Sequence, residues 1–336
     1  MVAVVALVAA GCSDGSGGAI SLPTQPTSAP TNAPPDSVGE STTVAPSAVK
    51  DWTVMVYMAS GNDLEPDAVD DVKEMQAGVT DDMNLVVLMD RVDGYSDEPV
   101  GEFGNFSGTR AFQVTPTGLV DLGVASDASM VDPAMLQGFV GQVLSALPAE
   151  HHALVLWDHA GAWRGFAVDS TDRSNNLSAD EVAGAVGAAL QTAGLERLDV
   201  IYYDACLMAE LSVATALAPV ADYLIASEEV VPAFGADYSA LADATSGGAE
   251  NFASVMTTAF QRSARAFGAD LDITMSVIDL AALAALNAAV EELGAAMAAA
   301  SPEEAAGFFR AATEAAAFAG GDEAYAVRDL GQILAR

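Results

Sequence analysis

Six short apolar runs recur along residues 52–278, with segments of helical length between most of them, and this alternation leaves few folds open. The runs are "WTVMVYM" (52–58), "NLVVLMD" (84–90), "HALVLWD" (152–158), "LDVIYYD" (198–204), "YLIAS" (223–227) and "DITMSVI" (272–278). Runs that are apolar at successive positions bury both faces, so they read as strands of one mostly parallel six-stranded sheet flanked by helices, an α/β three-layer sandwich. Helix starts are marked by Asn62 or Asp63 before "LEPDAVDDVKEM", by Asp132 ahead of Pro133, and by a capping box of Ser178 with Glu181. Residues 91–119 break the alternation and read as a small antiparallel excursion at a sheet edge. The Ala-rich segment 280–318 reads as two helices broken at Ser301 and Pro302. Glu291 and Glu292 in its middle argue against a membrane span, because a central carboxylate costs roughly 3 kcal/mol to insert.

Charge narrows the partners. Forty-seven acidic residues against 12 basic ones give a formal net charge of −35. Nucleic acid is excluded as a partner, because phosphate binding needs clustered Lys and Arg that release counterions. Cationic ligands fit, as does a surface that is acidic only for solubility.

Residues 1–11 form an apolar run ending in small residues before Cys12, the pattern of a bacterial lipoprotein signal, although no Lys or Arg precedes it. Export with lipidation at Cys12 is the expectation, which anchors a chain to a membrane without spanning it. Residues 12–50, rich in Ser, Thr and Pro, cannot bury enough surface to fold and read as a disordered linker. A single domain is expected over 51–336. With Cys12 lipidated, Cys206 has no disulfide partner. Alone, such a thiol reads as a small buried hydrophobe.

Ligands of a doubly wound sheet bind beyond the carboxyl ends of its strands, which singles out three loops. "HAGAW" (159–163) follows one run, Ala205 and Cys206 follow another, and "EEVVPAFGADY" (228–238) follows a third. If the strands before His159 and Cys206 are neighbours, the imidazole and the thiol share one sheet edge. A thiol of pKa about 8.5 is mostly unionised at neutral pH, and a nearby imidazole can take its proton as it attacks. That arrangement is a Cys–His dyad for acyl transfer.

The blocks "WTVMVYMASGNDLE", "LVLWDHAGAWRGF", "VIYYDACLMAE" and "YLIASEEVVPAFGADY", in this order over most of residues 52–238, resemble the clostripain family of cysteine peptidases. The resemblance implies the caspase-like fold shared with gingipains and legumain, with His159 as catalytic histidine and Cys206 as nucleophile. It implies that Asp204 pairs with the Arg or Lys before the scissile bond; by itself Asp204 also reads as a strand-end cap. Asp237 and Glu228 are further candidates for that pocket. Oxyanion donors are implied at Cys206 and at Ala160, where the family has Gly. If the backbone at Ala160 needs a positive φ, alanine strains it by about 1–2 kcal/mol. Ala162, Ala233 and Ala236 also stand where the family is richer in glycine, and Gly61 stands where Asp is common.

Some family members use calcium, and the carboxylates of "DAVDD" (67–71) and "VTDD" (79–82) are available. They lack a spaced loop motif and read as a solvated helix face and a turn, so no metal site is expected and no cofactor is required. His151 and His152 point to opposite faces of a strand and read as surface residues, not paired metal ligands. Asp158 reads as structural, since neighbours in an extended chain diverge.

The resemblance also implies self-cleavage between the catalytic His and Cys. That segment holds three bases. Arg164 lies in the His159 block and Arg197 directly before a strand, leaving the Arg173–Ser174 bond in "DSTDRSNNLS". The family usually continues past a "DLG" such as that near residue 330, so the C-terminal part of the domain is expected to be incomplete.

Three functions stand at this point. The first is an exported, lipid-anchored cysteine endopeptidase acting on peptides or proteins after Arg or Lys. The second is a catalytically silent relative that binds basic peptides. The third, a solute-binding lipoprotein, fits the N-terminus but leaves the His and Cys blocks unexplained.

Overall fold

A computed structural model describes residues 49–124, 129–168, 176–267, 273–319 and 327–334. The expected signal, linker and lipidation site Cys12 lie outside these residues, as do Arg173 and Ser174 of the expected cleavage loop.

The strands are β1 (Lys50–Met58), β2 (Met83–Arg91), β3 (Gly108–Thr115), β4 (Gly118–Val124), β5 (Ala149–Trp157), β6 (Leu198–Asp204), β7 (Ala221–Ala226) and β8 (Ser276–Asp279). The helices are α1 (Glu65–Gly78), α2 (Pro133–Ala146), α3 (Ala179–Ala193), α4 (Leu211–Leu217), α5 (Leu241–Ala244), α6 (Ala249–Ala266), α7 (Leu283–Ala299), α8 (Pro302–Glu314) and α9 (Leu330–Leu334).

All eight strands join one sheet in the order β4-β3-β2-β1-β5-β6-β7-β8. The expected six-stranded sheet is thus corrected to eight: the antiparallel excursion at the edge adds β3 and β4 beside β2. Strands β2, β1, β5, β6 and β7 run parallel, while β8 pairs antiparallel with β7 and begins at Ser276, leaving residues 273–275, read as strand from the sequence, outside it. Parallel strands buried on both faces need helices on both, and two hydrophobic clusters answer that need. One gathers the faces of α2, α3 and α4; the other gathers α1, α5 and α6.

Helix starts follow local chemistry. Asp132 accepts from the Ala134 N–H and holds Pro133 in the first turn. Ser178 with Glu181, and Ser301 with Glu304, form complete capping boxes. Helix α1 starts later than its polar neighbours promised, at Glu65, because Asn62 forms a turn of its own by accepting the Leu64 N–H at 2.9 Å. His152, expected at the surface, is instead buried, while half-buried His151 stacks on Trp52 and meets Asp199 at 2.7 Å.

The register places the site. Met58 of β1 is level with Trp157 of β5, and Trp157 is level with Asp204 of β6. Three loops therefore leave the sheet at one height on adjacent strands. Strand order reverses between β1 and β5, so this height lies at the switch point where doubly wound sheets open a crevice.

Candidate active site

His159 and Cys206 each stand two residues beyond that level row, on loops from neighbouring strands. The condition set by the sequence, that their strands be adjacent, is met. What fixes each loop is a set of buried polar contacts.

Asn62, after β1, donates to Asp158 Oδ1 at 2.8 Å, to the Val168 carbonyl at 2.9 Å and to the Ala59 carbonyl at 3.0 Å. Asp158, after β5, accepts the Val168 N–H on its other oxygen at 2.5 Å. Burial pushes the Asp158 carboxyl well above the usual range, against backbone hydrogen bonds from Val168 and His159. Asp158 is thus structural, as expected: it ties the β1 and β5 loops together and does not reach the His159 ring. The ring is met from elsewhere, with His159 Nε2 3.0 Å from Asp63 Oδ1.

The 228–238 loop closes over the thiol. Cys206 Sγ accepts the Val231 N–H at 3.3 Å and faces the Val231 carbonyl at 3.7 Å. Burial pushes the Cys206 thiol up, partly opposed by that hydrogen bond. A thiol held in its neutral form needs a base to become a nucleophile.

Asp204, two residues earlier, points to the same face of the sheet as Trp157 and Asp71 on α1. Its Oδ2 accepts the Tyr238 hydroxyl at 2.7 Å and the Ala236 N–H at 3.3 Å, and Gly235 lies directly against it. Oδ1 is buried beside the equally buried Tyr202 hydroxyl, which partly offsets the effect of burial on the Asp204 carboxyl. Only 5% of Asp204 is exposed, and burial raises its carboxyl above the ordinary value. The pocket expected around Asp204 is therefore shut by residues 235–238 in this conformation. Asp237 does not reach Asp204: it accepts from Ser239 and lines a cleft of about 410 Å³ with Asp67, Asp70, Asp71 and Glu74. Glu228 faces a different cavity, between α4, α7 and α8.

The condition posed for Ala160 is not met, and one expectation needs correction. Ala160 does not sit at positive φ; it forms an isolated antiparallel bridge with Phe166. The flanking bonds, Gly161 N–H to Gly165 and Ala167 N–H to His159, make Ala160 the unbonded member of the bridge, so its N–H turns away from Phe166. Left-handed backbone occurs instead at buried Ala162 (φ 56). Nor is "DAVDD" wholly solvated: Asp71 is 3% exposed and accepts the Trp157 Nε1–H at 2.6 Å. Burial and the nearby Asp204 charge push the Asp71 carboxyl well up. Among the described residues no group of three or more His, Cys, Asp or Glu could hold a metal ion.

Sequence reasoning passed over Asp63 and Tyr238. Nothing in "GNDLE" distinguishes Asp63 from a helix-start residue, and the sequence separation of 34 between Tyr238 and Asp204 carries no local signal.

Clostripain from Hathewaya histolytica is 29% identical over 221 residues, which are 57% of this chain and 41% of that protein, so the chain spans about two fifths of the curated relative it matches. A secreted C11 cysteine protease from Bacteroides thetaiotaomicron, solved in complex with an irreversible peptide inhibitor, superposes with a TM-score of 0.58 at 25% identity, covering 71% of this chain and 69% of that one. An inactive zymogen C11 protease from Parabacteroides distasonis superposes at 0.57 with 23% identity, over 73% and 66% of the two chains, and speaks to the fold. The sequence profile of the clostripain family matches residues 56–319, taking in every loop of the site just described. With its His and Cys loops level on adjacent strands of this sheet, the chain belongs to the clostripain family.

Proposed function

We propose that the protein is a cysteine endopeptidase that cleaves after Arg or Lys, with Cys206 as nucleophile and His159 as its base. The observation that carries this reading is the level row Met58, Trp157 and Asp204, which sets His159 and Cys206 beyond adjacent strands at the switch point. The base takes the Sγ proton as sulfur bonds to the scissile carbonyl carbon. The resulting oxyanion meets N–H donors at Ala160 and Cys206, whose positions cost no reorganisation during reaction. The imidazolium then gives its proton to the departing amine nitrogen as the C–N bond breaks, and water releases the acyl group.

Asp204 supplies the specificity. A buried carboxylate met only by neutral donors is costly when ionised and favourable once a guanidinium or ammonium pairs with it. The 231–238 segment must withdraw for that side chain to enter. We further propose an exported, Cys12-lipidated chain that cuts itself after Arg173, a peptide or protein substrate, and no required cofactor.

The closed loop favours one alternative, a silent relative that holds basic peptides without cutting them. A panel of short amide reporters separates the two. Wild type should hydrolyse Arg and Lys reporters, and Cys206→Ala should hydrolyse none. Asp204→Asn should lose roughly tenfold to hundredfold in kcat/KM on the basic reporters and far less on neutral ones, because a charge-assisted pair is worth about 2–3 kcal/mol. Turnover by Cys206→Ala would remove the nucleophile assignment. A Cys206 inert to a reactive arginyl ketone, with basic-peptide affinity retained, would establish the silent binder. Intact mass of incubated wild type should show two fragments with a new N-terminus at Ser174, and Cys206→Ala should stay whole.

A further inference from the structure

Two pairs of consecutive residues face each other across the switch point. Asn62 and Asp63 follow β1; Asp158 and His159 follow β5. The first member of each pair is buried, and Asn62 is locked to Asp158 at 2.8 Å by an amide that also holds the Ala59 and Val168 carbonyls. With that lock closed, the second members are brought together at the mouth of the crevice. His159 Nε2 lies 3.0 Å from Asp63 Oδ1, with the two side chains 36% and 73% exposed.

We infer that Asp63 is a positioning residue for His159, completing a Cys206–His159–Asp63 relay; this rests on the reading of His159 as the catalytic base. An ionised carboxylate only accepts hydrogen bonds, so the ring nitrogen facing Asp63 carries the hydrogen. The hydrogen bond from His159 holds the Asp63 carboxyl below the usual range, which keeps it ionised at working pH. With Nε2–H committed to Asp63, the lone pair left for the Cys206 proton is on Nδ1, and the ring plane is set by the Asp63 oxygen. When Nδ1 takes the proton from Sγ, Asp63 stabilises the imidazolium. When the leaving amine takes that proton, the pair returns to its starting state.

A surface contact of this kind contributes little to stability, on the order of 0–1 kcal/mol. Its consequence therefore falls on turnover, whereas the buried Asn62–Asp158 lock serves the fold.

The test uses the full-length chain. Asp63→Ala should lower kcat on Arg reporters roughly tenfold or more with KM unchanged, because the base stays in place but is no longer oriented. Asp63→Asn keeps an acceptor oxygen and should lose less. Both variants should keep the wild-type unfolding midpoint. The 15N ring shifts of His159 in wild type should report Nε2 as the protonated nitrogen, and Asp63→Ala should move to a mixture of tautomers. An active wild type whose Asp63→Ala variant has unchanged kcat, or wild-type ring shifts placing the hydrogen on Nδ1, would overturn the inference. A wild type without turnover on any reporter would instead overturn the peptidase reading, and the ring shifts would still decide the role of Asp63.

Discussion

At the scale of single residues, the site is built from carboxylates whose environments differ although their chemistry is the same. Asp63 is exposed and tied to His159, Asp158 is buried and tied to backbone, and Asp204 is buried and tied to Tyr238 and Ala236. Asp71 is the fourth, hidden between α1 and Trp157. Its carboxyl is raised by burial from an ordinary 3.8, so the folded state favours its protonated form. The stability it contributes is fully present below 3.8 and is lost as pH rises through the raised folded value. Asp71→Asn keeps an oxygen for the Trp157 N–H but carries no charge. Its thermal midpoint should exceed that of wild type at neutral pH, and the gap should close as pH is lowered toward 3.8. A gap independent of pH, measured by calorimetry across that range, would mean that Asp71 is not the titrating group.

At the scale of elements, the loops show which sequence irregularities matter. A Cβ at Gly61 would lie 2.3 Å from Asp90 Oδ2, so a larger residue there requires the Asp90 carboxylate to swing aside. Of the alanines in glycine-rich family positions, Ala160, Ala233 and Ala236 have ordinary backbone. Only Ala162, at φ 56 and fully packed, carries strain, because an L side chain in the left-handed region costs roughly 1–2 kcal/mol. Ala162→Gly should raise unfolding free energy by about 1 kcal/mol, read from denaturant midpoints at unchanged slope, the relief exceeding the extra chain entropy of glycine. The loop 228–238 closes on Cys206 and Asp204 through two hydrogen bonds from Val231 and Ala236 and one from the Tyr238 hydroxyl. The same loop is anchored at both ends, by the Glu229 carbonyl accepting the Leu207 N–H and by Glu74 accepting the Tyr238 N–H, and Ala236 and Tyr238 are fully buried.

At the scale of the whole molecule, net charge bears on the encounter with the basic peptides proposed as substrate. A charge of −35 attracts cationic peptides over a Debye length of about 8 Å at physiological salt. For peptides carrying several basic residues, kcat/KM should fall severalfold between low and high salt, mostly through KM, while singly charged reporters change little. Equal salt dependence in stopped assays of both would locate the effect at Asp204 alone.

The sequence by itself determined the alternation of strand and helix, the caps at Asp132 and Ser178, the break at Ser301, and the places of His159 and Cys206, because each is written within one turn or one strand of its own neighbours. It did not determine the eight-strand count, since β3 and β4 lack a continuous apolar run and gain their place by pairing with β2. Only the tertiary structure decided that Asp63 meets His159, that Asp71 is buried while Asp70 is not, and that residues 235–238 cover Asp204. The physical reason is common to all three. The partners lie 96, 86 and more than 30 residues apart in the chain, and a carboxylate carries no local mark of which distant group will desolvate it or bond to it.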